Sequence, residues 1–65
     1  MENVFQRIAS QLERMSPSAP MTMVAAIMAL AGVEGRRVTL TETTQLPPIP
    51  EGATRAEYAE ILRNR

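Results

Sequence analysis

"MTMVAAIMAL", residues 21–30, contains one polar side chain in ten and decides the fold of this 65-residue chain. Alanine, methionine and leucine favour a helix, and we predict helix two over about residues 19–31, with Gly32 as its left-handed terminator. A small domain has little interior in which to cover a helix that is apolar on every side. The segment must therefore be covered by the protein's own core, by a partner, or by both.

The two halves of helix two differ in side-chain size when they are projected at about 100° per residue. The half that we expect to face the core is bulky: it carries Met23, Val24, Ile27, Met28 and Leu30. The opposite half is small and uncharged, which lets another helix come close: it carries Thr22, Ala25, Ala26 and Ala29. We predict that this small-residue face is an interface. The alternatives are a solvated alanine face, and a helix sandwiched between the two terminal helices of the same chain.

Residues 2–15 show the apolar periodicity of an amphipathic helix. The segment "SPSAP", residues 16–20, ends it. Either Ser16, with Pro17 at the first helical position, or Ser18 is expected to cap the next helix.

Residues 37–42, "RVTLTE", alternate in polarity after a turn in which Gly35 can adopt a positive φ. Their β-branched content predicts a short strand with Val38 and Leu40 on one face. A strand needs a partner. The partner is either "TTQL", in a tight hairpin, or a strand of another chain, in which case Val38 and Leu40 belong to the interface.

"LPPIP", residues 46–50, predicts a polyproline II segment that wraps the surface with Leu46 and Ile49 on the core. Gly52 gives the backbone conformational freedom for a turn before a last helix. Thr54 and Glu57 have the spacing of a capping box for that helix.

The last helix carries a narrow apolar stripe formed by Tyr58, Ile61 and Leu62. The pattern as a whole predicts a small α+β protein that forms a single domain over residues 1–65. It has two N-terminal helices, one short strand or ribbon, and a capped C-terminal helix.

The composition excludes most site chemistry. All seven basic residues are arginine, all seven acidic residues are glutamate, the net charge is zero, and cysteine, histidine and tryptophan are absent. Disulfides, a histidine base and the usual transition-metal ligands are therefore lacking. We expect no catalytic residues, no cofactor and no metal, and hence no enzyme. The arginine bias reflects either a GC-rich bacterial or phage genome or Arg–Glu pairing.

Nucleic acid and membrane are poor partners for this chain. Helix two has no Arg, Asn or Gln to read a base edge, and the arginine pair Arg36 and Arg37 offers phosphate contacts only if a dimer brings two such pairs together. The apolar run is shorter than the roughly 20 residues that span a bilayer. The N-terminus "MENVFQRI" lacks the cationic region of a signal peptide. We expect a cytoplasmic protein with no membrane association.

Two resemblances concern the second half of the chain. "EGRRVTL … PP … GATRAEYAEIL", within residues 34–62, resembles the small N-terminal docking domains of modular peptide and polyketide synthases. Those domains place a short ribbon and a proline turn before a capped helix. "GRRVTLTET" is similar to the hairpin of small phage head–tail connector proteins. The two resemblances imply docking and assembly roles.

These features predict a non-catalytic protein–protein interaction module: a self-associating adaptor, or a docking or inhibitor-type protein. Its partner is a second copy or a docking target, bound through the small-residue face and the strand edge. One alternative is a small dimeric DNA-associated regulator. Another is a structural subunit of a larger assembly, such as a phage particle, or a synthase docking domain.

Overall fold

The computed structural model of the chain describes residues 3–65. Along the chain lie α1 (Val4–Arg14), α2 (Met23–Glu34), a 3₁₀ helix (Leu40–Gln45) and α3 (Arg55–Arg63). These described residues contain no strand, so the prediction of an α+β fold is wrong and the fold is all-helical. Helix α1 packs against both α2 and α3.

Local hydrogen bonds turn the segment that was expected to be a strand. The backbone N–H of Thr39 donates to Glu42 Oε2 at 2.7 Å, and the Thr43 hydroxyl donates to the Leu40 carbonyl oxygen at 2.6 Å. Thr44 repeats this threonine pattern one residue later. Because these bonds satisfy the backbone locally, the segment needs no partner strand. The hairpin with "TTQL" and the pairing with another chain are both wrong for the same reason.

Helix α2 begins four residues and ends three residues later than predicted. Its N-cap is Thr22, whose hydroxyl accepts from the Ala25 N–H at 3.1 Å. Its C-cap is Gly35, which has a left-handed φ of 70°. Gly32 lies inside the helix, so its prediction as the terminator is wrong, whereas the positive φ expected at Gly35 is confirmed.

The late start of α2 follows from pairing between the segment before it and the start of α3. The Arg55 N–H donates to the Ala19 carbonyl oxygen, and the Met21 N–H donates to the Ala53 carbonyl oxygen, both at 2.9 Å. These bonds hold the chain extended up to Met21. Neither of the serines in "SPSAP" therefore caps α2.

The two terminal helices form as their patterns predict. Asn3 caps α1 by accepting from the Gln6 N–H at 2.9 Å, and Glu2 of the predicted helix lies outside the described residues. The capping box of α3 is confirmed: Thr54 Oγ1 accepts from the Glu57 N–H at 3.2 Å, and Glu57 Oε1 accepts from the Thr54 N–H at 2.7 Å.

The core lies between α1, α2 and α3. Its apolar members are Ile8, Ala9, Leu12, Met21, Ala25, Ala26, Ala29, Leu30, Val38, Tyr58, Ala59 and Leu62. The proline segment wraps over it with Leu46 and Ile49 half-buried against the core, as predicted.

Candidate functional site

The small-residue face of α2 lies inside the protein. Ala25 and Ala26 are 1% exposed and Ala29 is 0% exposed. Thr22, the fourth member of this face, is exposed and forms the N-cap. The short alanine side chains let helices approach closely, and the structure uses them for contacts within one chain. Three of the four small-residue-face members of the predicted interface are thus buried.

The bulky side of α2 is, in contrast, largely exposed. Leu30 is buried and Ile27 is half-buried, but Met23, Val24 and Met28 are 48%, 63% and 57% exposed. The prediction that all five bulky residues face the core is wrong for these three. The alanine side of α2 is the side that packs inside the protein, so the larger side chains on the opposite side point outward.

The three exposed residues lie on one side of α2 together with the half-buried Ile27 and Ala31, and we call this side the outer face of α2. Its members are Met23, Val24, Ile27, Met28 and Ala31. None of them is charged. Single exposed apolar residues are normal on soluble proteins, whereas contiguous apolar patches mark interaction sites.

The two residues expected on a strand face occupy different environments. Val38 is buried at 7% exposure, whereas Leu40 is 59% exposed at the start of the 3₁₀ helix. Because the chain turns between them, they do not share a face. The 3₁₀ helix packs against α2, so Leu40 lies on an element that borders the outer face.

A groove of about 510 Å³ lies beside the outer face and shares Met23 with it. Its other lining residues, all uncharged, are Ala26, Thr43, Thr44, Leu46, Pro47, Pro48, Ile49 and Tyr58. The Met23 sulfur accepts a hydrogen bond from the Thr43 hydroxyl at 3.3 Å, which links α2 to the 3₁₀ helix at the rim. The groove therefore continues the apolar character of the outer face.

The arginine pair predicted to contact phosphate lies between α2 and the 3₁₀ helix. Arg36 Nη2 is 2.7 Å from Glu42 Oε1, and Arg36 Nη1 donates to the Arg37 carbonyl oxygen at 3.1 Å. The hydrogen bond from Arg36 lowers the pKa of the Glu42 carboxyl and raises the pKa of the guanidinium. Arg36 thus neutralises a carboxylate of its own chain, although both arginines are exposed.

A second charged pair joins the terminal helices. Arg63 of α3 donates two hydrogen bonds to the Glu13 carboxylate of α1, at 2.5 and 2.7 Å. The hydrogen bond from Arg63 lowers the pKa of Glu13. A general acid at neutral pH needs a carboxyl with a raised pKa. Glu13 and Glu42, whose pKa values are shifted, are both shifted in the wrong direction for that role.

The described part of the chain offers neither a metal-binding cluster nor a membrane-spanning helix. Residues 3–65 contain no group of three acidic or other metal-ligating side chains placed to hold a metal ion. Over the same residues, no helix combines the length and hydropathy needed to cross a bilayer.

Comparison of the chain with protein-family models, with curated proteins and with solved structures finds no match. The ribbon on which the resemblances to synthase docking domains and phage connectors depend is absent from residues 3–65. The feature of the described residues that points to a function is the exposed apolar outer face of α2.

Sequence reasoning assigned Met23, Val24 and Met28 to the core and so missed the outer face. The signal that could have found it is the pair of small residues at i, i+4 spacing, Ala25 and Ala29. That spacing favours close helix packing, but it does not say whether the second helix belongs to the same chain. Here it belongs to the same chain, and the larger residues are exposed as a result.

Proposed function

We propose that the protein is a non-catalytic protein–protein interaction module that docks through the outer face of α2. The observation that carries the proposal is the exposure of three large apolar side chains on one helix: Met23, Val24 and Met28, at 48–63%. Covering them would contribute roughly 1 kcal/mol each, since about half of each side chain is still in water.

The chemistry of the surface restricts the partner. The outer face and the adjoining groove are uncharged, so a charged partner surface would lose water without gaining an ion pair. The partner must therefore present an apolar surface of its own, such as the uncharged face of a helix. Glu34, exposed at the end of α2, supplies a charged residue for the polar rim that such interfaces have.

Site-specific photo-cross-linking in the cell tests the proposal. A photoreactive phenylalanine derivative is placed at Met28 in the outer face, and in a control at Glu60, which is exposed on α3. The expected result is a discrete cross-linked product from position 28 alone. A second substitution, Val24→Glu, should abolish this product, because it places a charge in the apolar contact.

The matched control is Gln6→Glu, a similar change at an exposed position of α1, which should leave the product intact. Equal products from positions 28 and 60, or a product that survives Val24→Glu, would overturn the proposal.

A further inference from the structure

We infer that the partner of the outer face is a second copy of this chain, with the two α2 helices packed antiparallel across a twofold axis. The inference rests on the proposed function and names its partner. Three features of α2 carry it: a face without charge, the charge at the ends of the helix, and the order of large and small residues along the face.

An uncharged face can meet its own copy without repulsion. In a twofold interface the same patch of both subunits meets itself, so every charge on the patch comes close to the same charge. Like charges brought together in an interface oppose binding. The five members of the outer face bring none, because each is methionine, valine, isoleucine or alanine. Glu34 follows on the same side of the helix, but it lies at the end of α2, away from its own copy in an antiparallel pair.

The ends of α2 determine the orientation. Within Met23–Glu34 there is no acidic residue in the first turn and no basic residue in the last turn. Glu34 lies at the negative end of its own helix dipole, where a carboxylate is unfavourable. Two cations of the same chain already lie at this end of α2. Arg7 donates to the Val33 carbonyl oxygen at 3.3 Å. Arg36, which forms its ion pair with Glu42, is also attracted by Glu34.

An antiparallel pair adds a favourable contact for Glu34. It brings the Glu34 carboxylate of each copy to the positive N-terminus of the partner's α2, where a carboxylate is favourable. A parallel pair would place like helix ends side by side and would bring the two Glu34 carboxylates together.

The residue order sets the register. The outer face is centred between Ile27 and Met28, and a twofold axis at that point pairs Val24 of one copy with the partner's Ala31. A large residue then meets a small one, as interdigitating packing requires. At 1.5 Å per residue, Glu34 lies about 10 Å from the axis and the N-cap Thr22 about 8 Å on the other side. The carboxylate thus reaches the partner's first turn.

The absence of cysteine from the chain allows a direct test by disulfide cross-linking of the purified protein. Met28→Cys, next to the axis, should form a disulfide-linked dimer with itself. Val24→Cys and Ala31→Cys should each remain largely uncross-linked alone and should form a mixed dimer when combined. Glu60→Cys, exposed on α3, is the control and should form no specific dimer.

Each outcome of the cross-linking supports or overturns the antiparallel pair. The mixed Val24–Ala31 product supports the antiparallel pair. Efficient self-cross-linking of Val24→Cys would show a parallel pair and overturn the inference. A cysteine-free chain that light scattering shows to be monomeric from about 1 μM to about 1 mM would also overturn it. If the in-cell product at position 28 then persists with another protein, the proposed function stands and only its assigned partner is wrong.

The predicted role of Glu34 has its own readout. Glu34→Gln should weaken dimerisation about 3- to 30-fold, since each dimer contains two such contacts with a helix terminus. The effect should shrink as salt is added. Glu51→Gln, at an exposed turn, is the matched control and should leave the dissociation constant unchanged. An unchanged constant for Glu34→Gln would remove the basis for the antiparallel orientation.

Discussion

The Tyr58 hydroxyl donates a hydrogen bond to the Pro47 carbonyl oxygen at 2.5 Å. Tyr58 belongs to α3 and is fully buried, and Pro47 belongs to the proline segment that covers the core. Both residues line the groove beside the outer face. One buried bond therefore fixes the wall of the groove to the last helix.

Tyr58→Phe should destabilise the fold by about 1–3 kcal/mol, because it leaves the buried Pro47 carbonyl without its donor. Chemical denaturation monitored by circular dichroism measures the change in the free energy of unfolding. Thr44→Val is the control, since it removes a hydroxyl bond at an exposed position, and it should cost less. If the two variants lose the same stability, the Tyr58 bond has no special role.

Burial also raises the pKa of Tyr58 above its ordinary value of 10.0. A group whose pKa is raised by folding stabilises the protein below its unfolded pKa, and this contribution is lost as pH rises through the folded pKa. The wild type should therefore lose stability above about pH 10 more steeply than Tyr58→Phe. Tyr58 is the chain's one tyrosine, so its tyrosinate absorbance gives the titration directly. A midpoint at or below the ordinary value would contradict the prediction.

The two sides of α2 should respond oppositely to charge. Ala26 is 1% exposed and Val24 is 63% exposed. Ala26→Glu buries an unpaired carboxylate and should cost at least about 3 kcal/mol or prevent folding. Val24→Glu should change the free energy of unfolding by no more than about 0.5 kcal/mol when measured at low protein concentration. Equal losses in urea denaturation would show that both sides of α2 are packed.

The contrast between these residues shows what the sequence can and cannot predict about α2. The existence of the helix, and its division into a large and a small side, could be read from residue order. Which side is buried depends on how α1 and the 3₁₀ helix pack against α2, and that is a tertiary property. Alanine lets neighbouring elements approach the helix closely, so the small side of α2 is buried in the core. The candidate site therefore lies on the opposite side of the same helix.

The 3₁₀ helix illustrates a different failure. Threonine has a high strand propensity, and "VTLT" alternates, but threonine and glutamate side chains also bond to nearby backbone groups. Residues 54–57 were predicted correctly from the same kind of bond, because a helical stripe follows them. Thr39 and Glu42 have the same capping-box spacing. Because no helical stripe follows Glu42, that spacing alone did not distinguish a 3₁₀ helix from a strand.

The Glu13–Arg63 pair should make the stability of the fold depend on acid. Arg63 lowers the pKa of Glu13 below its ordinary value of 4.5. A carboxyl with a depressed folded pKa stabilises the protein above its unfolded pKa, and this contribution is lost as pH falls through the folded pKa. Glu13→Gln should therefore reduce the melting temperature at neutral pH and flatten its decline below about pH 4.5. If the melting temperature declines equally in wild type and variant as pH falls, the Glu13–Arg63 pair does not contribute to the acid dependence of stability.

The two glycines at the end of α2 should respond in opposite directions to alanine. Gly32 lies within the helix without a positive φ, and an added Cβ would come within 2.9 Å of the end of the flexible Gln11 side chain, which can move aside. Gly32→Ala should then stabilise the fold by about 0.4–1 kcal/mol, through the lower entropy of the unfolded chain. Gly35 has a φ of 70°, and a Cβ added there would have no atom beyond its chain neighbours within 4 Å. Gly35→Ala meets no clash, but it should still cost about 1–2 kcal/mol because of the left-handed backbone.

Thermal denaturation of the two variants beside the wild type measures both effects. The sequence placed the helix terminator at Gly32, which would reverse the sign at Gly32 alone, because Gly35 was also expected to have a positive φ. A destabilising Gly32→Ala would therefore support the earlier terminator. A stabilising Gly32→Ala together with a destabilising Gly35→Ala would establish that α2 continues to Glu34, so that Ala31 and Glu34 stand on one helix with Val24, as the antiparallel pairing of the outer face requires.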